Sequence, residues 1–341
     1  MRMANRVLVP PAPSVVLPRD AGAFVREVVG FTGRTMGTTW RASVVLPSGV
    51  KPHDLERSIV ETLGDVVARM SPWDDASDLA RFRRASPGSW VPLGADTLHV
   101  LQRALEIAAL TDGVYDPTIG RLVDVLGFGP GGPEAAHEPG SIGERRARAE
   151  VGFRRVLVDA VGRRVYKPAG VELDLCSIAK GFGVDRVVER LGEAGVENCF
   201  VEIGGEARGR GCKPDGQPWW CAIEPPTNVG EGWAPMVLAA CDVAVATSGN
   251  GLRRRARAYG SIGHIVDPRA QGPRSDALET VTVLSTTCME ADAWATALFL
   301  LGPERGMETA ELLGLAAMFV SAIGCKGPRE RWTRGFAAYL D

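Results

Sequence analysis

Stretches of β character run through the whole of this 341-residue chain and do not alternate with helical ones. Alternating or β-branched residues mark 24–46, 155–159, 163–167, 170–175, 199–205, 219–224, 243–249 and 279–285, with 318–324 and 336–341 finishing the series. Helical periodicity is confined to 54–70, about 97–110, 177–191 and 291–302. A doubly wound parallel sheet requires a helix between successive strands, so this order predicts an α+β fold instead. In the first helix Leu55, Ile59, Leu63, Val66, Val67 and Met70 share a face, with Asp54 as its expected cap. Asp96 is the expected cap of the second, which turns Leu98, Leu101, Leu105 and Ala108 inward. The Gly/Pro-rich second half of 111–140 reads as a loop, and Gly302 as the stop of the last helix.

Composition narrows the function classes. With 45% apolar and 23% charged residues the chain reads as a soluble globular protein with a sizeable core. A net charge of −2 and no basic half argue against nucleic acid; the run Arg253, Arg254, Arg255, Arg257 reads as a solvated edge or an anion contact. Seven cysteines without CxxC spacing fit neither a disulfide scaffold nor a zinc site and point to a reducing compartment. Prolines interrupt the first twenty residues where a signal peptide needs an unbroken apolar run, and nothing approaches the length of a membrane span. The expectation is a cytoplasmic protein with a flexible lead-in over 1–21 and one domain over 22–341.

In CMEADAWATALF (288–299), Asp292 and Thr296 lie four apart and so on one helix face, among Ala291, Ala293, Ala295 and Ala297. A carboxylate and a hydroxyl there suit Mg²⁺; a helix cap or a partner for an arginine is the other reading. VELDLCSIAKGFGVDRVVERL (171–191) places Asp174 at a strand end and Ser177 and Lys180 in the turn into a helix, a way to present main-chain groups and an ammonium to phosphate. It is not a Walker sequence, and a strand end with a surface lysine fits equally. Gly204-Gly205 in VEIGGEARGRG (201–211) reads as a bulge or a close approach to ligand. His264, in GHIVDPRAQGP (263–273), is either a base or structural. Trp73 and Tyr115 sit among turn residues as ring walls or loop anchors.

The order of these stretches is more specific than any one of them. TMGTTW (35–40), MSPWDDASDLARF (70–82), GVYDPTIGRLV (113–123), LDLCSIAKGFGVDRV (173–187), VEIGGEARGRG, ATSGN (246–250), HIVDPR (264–269) and ADAWATALFLLG (291–302) together resemble the FAD:protein FMN transferases, the ApbE-like flavin transferases, over about residues 31–335. The resemblance implies a T-fold-like architecture of mixed or antiparallel sheets with packed helices, FAD as substrate and Mg²⁺ as cofactor. It implies transfer of FMN to a threonine hydroxyl of a target flavoprotein, with AMP leaving. By motif, the metal site corresponds to Asp292 and Thr296, with main-chain oxygens at Ser177 and Ala295. FAD contacts correspond to Met36, Trp73, Val114, Tyr115, Asp116, Asp174, Lys180 and Ile265. His264 corresponds to the family's flavin-side histidine or base, and Asp292 is its catalytic carboxylate. This chain departs from the family at Asn250-Gly251, where Asp-Tyr is usual, and at Gly263, Trp73 and Ser177. A non-catalytic flavin carrier and a Mg²⁺-dependent FAD pyrophosphatase are the alternatives.

Overall fold

The computed structural model describes residues 6–11, 27–226, 233–249, 254–257, 260–269, 278–322 and 328–340. Strand β1 (Arg6–Leu8) lies within the expected lead-in and is followed by β2 (Val28–Thr35) and β3 (Thr38–Val45). Helices α1 (Pro52–Met70) and α2 (Asp78–Arg84), strand β4 (Trp90–Pro92) and helices α3 (Ala95–Leu110), α4 (Gly120–Val125) and α5 (Ile142–Glu150) come next. Short strands β5 (Val158–Asp159) and β6 (Arg164–Tyr166) lead into α6 (Ala179–Glu193). Then follow β7 (Cys199–Ile203), β8 (Glu206–Arg210), β9 (Trp220–Ile223), β10 (Met236–Ala239), β11 (Val243–Gly249), β12 (Arg254–Arg257), β13 (Gly260–Gly263) and β14 (Leu278–Ser285). The chain ends with α7 (Cys288–Leu301), α8 (Pro303–Leu312), β15 (Ala316–Ala322), β16 (Pro328–Trp332) and α9 (Arg334–Ala337).

Among the described residues one large sheet has the order β16-β15-β14-β11-β8-β7-β3-β2, every neighbouring pair antiparallel. A smaller mixed sheet, β1-β10-β9, carries a parallel pairing of β1 with β10. The expected α+β fold with mixed and antiparallel sheets is what forms. No helix among the described residues is long and apolar enough to cross a membrane.

Helix α7 explains the small, apolar stretch that holds Asp292. It packs against β11, β14, α3, α6 and α8, so it is covered all round and has no polar face. Its alanines are fully buried and let neighbouring backbones come close. Gly181 at the start of α6 shows how close: a Cβ there would stand 2.2 Å from the Cys288 carbonyl oxygen.

Several local expectations differ. Asp54 does not cap α1; Lys51 holds the cap position, Pro52 opens the helix, and Asp54 in the first turn pairs with Arg57 at 2.7 Å. Val67 is only half-buried, the other five predicted positions being buried. Asp96 lies inside the first turn of α3, behind Gly94 at the cap position, and pairs with Arg69 at 2.8 Å. Segment 170–175 is not a strand: Glu172 makes a single bridge to Ile119, and the stretch runs into the turn before α6. Residues 336–340 add no strand to the large sheet: α9 occupies their start, with the Thr333 hydroxyl accepting from the Phe336 amide at 3.2 Å as its cap, and Leu340 makes a single bridge to Leu8. Gly204 and Gly205 form no bulge. They are the two-residue turn of a hairpin whose last pair is Ile203 and Glu206, and their φ values of 61° and 105° lie where glycine is favoured.

Candidate functional site

The N-termini of α6 and α7 meet over β8 and β11, and buried side chains answer the amides that each helix start leaves without intrahelical partners. At α7, Thr287 occupies the cap position without a side-chain bond. Asp185 of α6 supplies the acceptors: its Oδ1 takes the Cys288 amide and its Oδ2 the Met289 amide, both at 2.9 Å. Arg208 of β8 donates to Asp185 Oδ1 at 2.6 Å. Burial raises the Asp185 carboxyl above its ordinary value, against the pull of these donors.

At α6 the direction reverses. Asp292, one turn into α7 and 3% exposed, accepts the Gly181 amide on Oδ2 at 2.9 Å. Its Oδ1 faces Lys180 Nζ at 3.9 Å, while the same ammonium lies in close contact with Glu206 Oε1. Burial pushes Asp292 above the usual carboxylate range; Lys180 and the Gly181 amide oppose it. Burial likewise pushes Glu206 up, to about 7, with Lys180 resisting and Asp292 adding to the rise. For Lys180, burial acts to lower the ammonium, but Asp292 and Glu206 carry it above the ordinary lysine value. Glu206 Oε2 is buried and has no hydrogen-bond partner among the described residues.

One turn beyond Asp292, the Thr296 hydroxyl lies 2.9 Å from the Ser248 hydroxyl of β11. Ser177 donates from Oγ to the Tyr115 hydroxyl at 3.0 Å. No donor among the described residues reaches the Ser177 main-chain carbonyl, because the Gly181 amide that would have done so points to Asp292. Burial holds the Tyr115 hydroxyl well above its ordinary pKa; Ser177 opposes, and Asp292, Asp174 and Asp116 add to it, so Tyr115 stays protonated. The donor set fits a hard divalent cation: one carboxylate oxygen without a hydrogen-bond donor, a hydroxyl and a bare carbonyl, all oxygen. Ala295 is buried on the same helix between Asp292 and Thr296.

Of the other predicted residues, Asp174 and Met36 lie against α6 or the approach to it. Asp174 Oδ1 accepts the Cys176 amide at 2.7 Å, and the Asp174 amide donates to the Pro117 carbonyl at 2.8 Å, tying the approach to α6 to the segment that carries Val114, Tyr115 and Asp116. Val114 is buried, and both oxygens of Asp116 are taken by its own chain: Thr118 donates its amide (2.8 Å) and hydroxyl (2.6 Å) to Oδ1, and Phe153 its amide (3.0 Å) to Oδ2. Met36 occupies the β2–β3 turn with φ 48°, and its Cε would lie 3.1 Å from a Cβ on Gly183 of α6. Trp73 stands 54% exposed in the turn between α1 and α2. Beside it, a cleft of about 390 Å³ is lined by Pro72, Leu79, Arg83, Val123, Glu172 and Asp174. His264 and Ile265 follow β13 and are half-buried, Ile265 against the same core as Tyr115, Ile178 and Ala295. Asn250, Gly251, Arg253 and Cys325 lie outside the described residues.

Three residues of this junction were not singled out from sequence. Ser248 belongs to ATSGN, yet nothing in one strand reveals a hydroxyl partner on α7. Asp185 reads as an ordinary helix-surface acid. Glu206 had a usable signal: a Gly-Gly pair between two alternating runs is a hairpin turn. That turn puts Glu206 and Arg208 on one face of the second strand, where they meet Lys180 and Asp185.

Comparison with known proteins defines the class first. The flavinyl transferase ApbE of Pseudomonas stutzeri, solved in its apo form, shares the fold with a TM-score of 0.84 and 33% identity, over 94% of this chain and 98% of that one. The flavin transferase ApbE of Vibrio cholerae gives 0.82 and 33%, over 92% and 99%. An FAD:protein FMN transferase of Haemophilus influenzae is 34% identical over 312 residues, 86% of each chain. The ApbE family pattern itself matches residues 36–319, and this chain belongs to the ApbE family.

Proposed function

We infer that this chain is an FAD:protein FMN transferase, an enzyme that moves FMN from FAD to a threonine hydroxyl of a target flavoprotein. The observation that carries the reading is the oxygen set at the α6–α7 junction. Asp292 is buried beside Lys180 with no hydrogen-bond donor among the described residues on Oδ1, Thr296 follows one turn later on α7, and the Ser177 carbonyl precedes the Gly181 amide that Asp292 accepts. Asp292, Thr296 and the main chain at Ser177 and Ala295 would hold Mg²⁺, which supplies positive charge to a diphosphate whose cleavage concentrates negative charge.

The reaction balances without an oxidant. The threonine oxygen forms a bond to the FMN phosphorus, the bond from that phosphorus to the AMP oxygen breaks, and AMP leaves with the electron pair. His264 accepts the hydroxyl proton. Lys180 adds charge at the phosphates. Met36, Trp73, Val114, Tyr115, Asp116, Asp174 and Ile265 form the wall against which the flavin nucleotide lies; Asp116 serves it indirectly, by bracing the 114–118 segment. Residues 22–341 act as one domain, a reading supported by a sheet that draws strands from β2 through β16. The cytoplasmic assignment rests on cysteine usage: the described cysteines are free thiols, and all but Cys176 are buried.

Chromatography of the products from FAD, Mg²⁺ and an FMN-binding acceptor domain tests the reading. Transfer gives AMP and flavin that stays with the acceptor through denaturation. AMP with free FMN identifies a pyrophosphatase, and unchanged FAD identifies a carrier; either result replaces the proposal.

A further inference from the structure

We propose that Glu206 is a positioning residue that holds the Lys180 ammonium away from Asp292, keeping the Asp292 carboxylate open to a divalent cation. The proposal rests on the reading of Asp292 as a metal ligand.

Lys180 lies between two buried acids and is the one cation of the described residues in contact with either. It stands closer to Glu206 Oε1 than to Asp292 Oδ1, which is 3.9 Å away. The geometry around Asp292 makes that asymmetry matter. Gly181 fixes Oδ2 through its amide at 2.9 Å, so Oδ1 is the oxygen left for a ligand, and Oδ1 is the oxygen that Lys180 faces. An ammonium that moved onto Oδ1 would occupy the ligand position and repel an incoming dication. Lys180 is anchored in the first turn of α6, and among the described residues no other acid lies within ion-pair distance of it. Glu206 is itself fixed: it follows the Gly204-Gly205 turn at a position set by hairpin register. Its Oε2 has no competing donor among the described residues. Groups that orient ligands without touching the metal typically change its affinity 10–100-fold when removed.

Glu206→Gln removes the charge that retains Lys180 and leaves Asp292 as the one acid of the described residues within ion-pair distance of it. Mn²⁺ binding to the full chain, read by electron paramagnetic resonance of free Mn²⁺, measures the consequence without turnover. Wild type and Asp292→Ala fix the reference. If Asp292→Ala binds Mn²⁺ as wild type does, the metal reading of Asp292 falls, and this proposal with it. Given a site that Asp292→Ala loses, Glu206→Gln is expected to weaken Mn²⁺ binding by roughly tenfold or more. Loss of one negative charge would also weaken binding, so a double-mutant cycle separates the two causes. Lys180→Met should change Mn²⁺ affinity little alone and restore most of it in the Glu206→Gln background. Glu206→Asp, which keeps the charge, should lie near wild type. Glu206→Gln within twofold of wild type, or an equal effect of Lys180→Met in both backgrounds, overturns the proposal. Thermal unfolding of each variant, with a two-state transition retained, confirms that a folded chain is being titrated.

Discussion

Asp116 and Asp292 are both buried aspartates in motifs that bear on the same site, and they do opposite things. Asp116 accepts three hydrogen bonds from its own chain, two from Thr118 and one from Phe153, and has no oxygen left over. Among the described residues Asp292 accepts one main-chain bond, on Oδ2, and its Oδ1 faces an ammonium at 3.9 Å. Burial raises both carboxyls above the ordinary range, so neither burial nor titration separates them. Acceptor capacity does. A carboxylate with donors on both oxygens braces a loop; one with an oxygen that no described donor reaches can take a ligand.

That contrast is sharpest in the two alanine variants. Asp292→Ala should lower AMP release from FAD by on the order of 10³-fold, the scale of removing one dedicated electrostatic contact, while the unfolding transition survives. Asp116→Ala should show the reverse emphasis. It strands the amides of Thr118 and Phe153, at about 1–3 kcal/mol for each buried group left unsatisfied, and denaturant melts should show a loss of about 2–6 kcal/mol. If Asp116→Ala keeps full stability and loses turnover, the division between bracing and ligation is wrong.

A smaller effect is expected at Thr296. Thr296→Val removes the hydroxyl and leaves Ser248 without its partner; turnover at limiting Mg²⁺ should fall by about tenfold and recover in part at high Mg²⁺. Failure of added Mg²⁺ to recover it would move Thr296 from ligand to packing residue.

The mildest test is the pH dependence of stability. Glu206 is raised from the ordinary glutamate value of 4.5 to about 7 by burial. A carboxyl raised in the folded state contributes stability that is complete below its unfolded pKa and is lost as pH rises through the folded one. The metal-free wild-type protein should therefore lose stability between pH 4.5 and about 7 relative to Glu206→Gln. Parallel curves for the two proteins would contradict this.

Much of the fold was legible because it rests on local periodicity. Helix α1 and the strands β2, β3, β7, β11, β14 and β15 lie where apolar spacing put them. Failures came where tertiary contact outranks local pattern. VELDL alternates like a strand, yet it meets one bridging residue and then turns into α6. The apolar run at the end of the chain reads as a last strand, yet the Thr333 hydroxyl accepts an amide and starts a helix. Asp54 and Asp96 have the right type for caps, but each sits inside the first turn and pairs with an arginine instead. At the site, Asp292 and Thr296 could be found because i, i+4 spacing is a sequence property. Lys180 can be named from sequence, but its partner Glu206 is brought to it by a hairpin turn, and a Gly-Gly pair within one strand looks the same as a bulge. Asp185 and Ser248 act on α7 from other elements, and no spacing within one element encodes that.

The most direct test of the account is the intact mass of a candidate FMN-binding acceptor domain after incubation with this protein and FAD, with and without Mg²⁺. The acceptor is expected to gain one FMN in the presence of Mg²⁺, a gain absent without Mg²⁺ and absent with Asp292→Ala. An unmodified acceptor alongside AMP and free FMN, or full modification by Asp292→Ala, would contradict it.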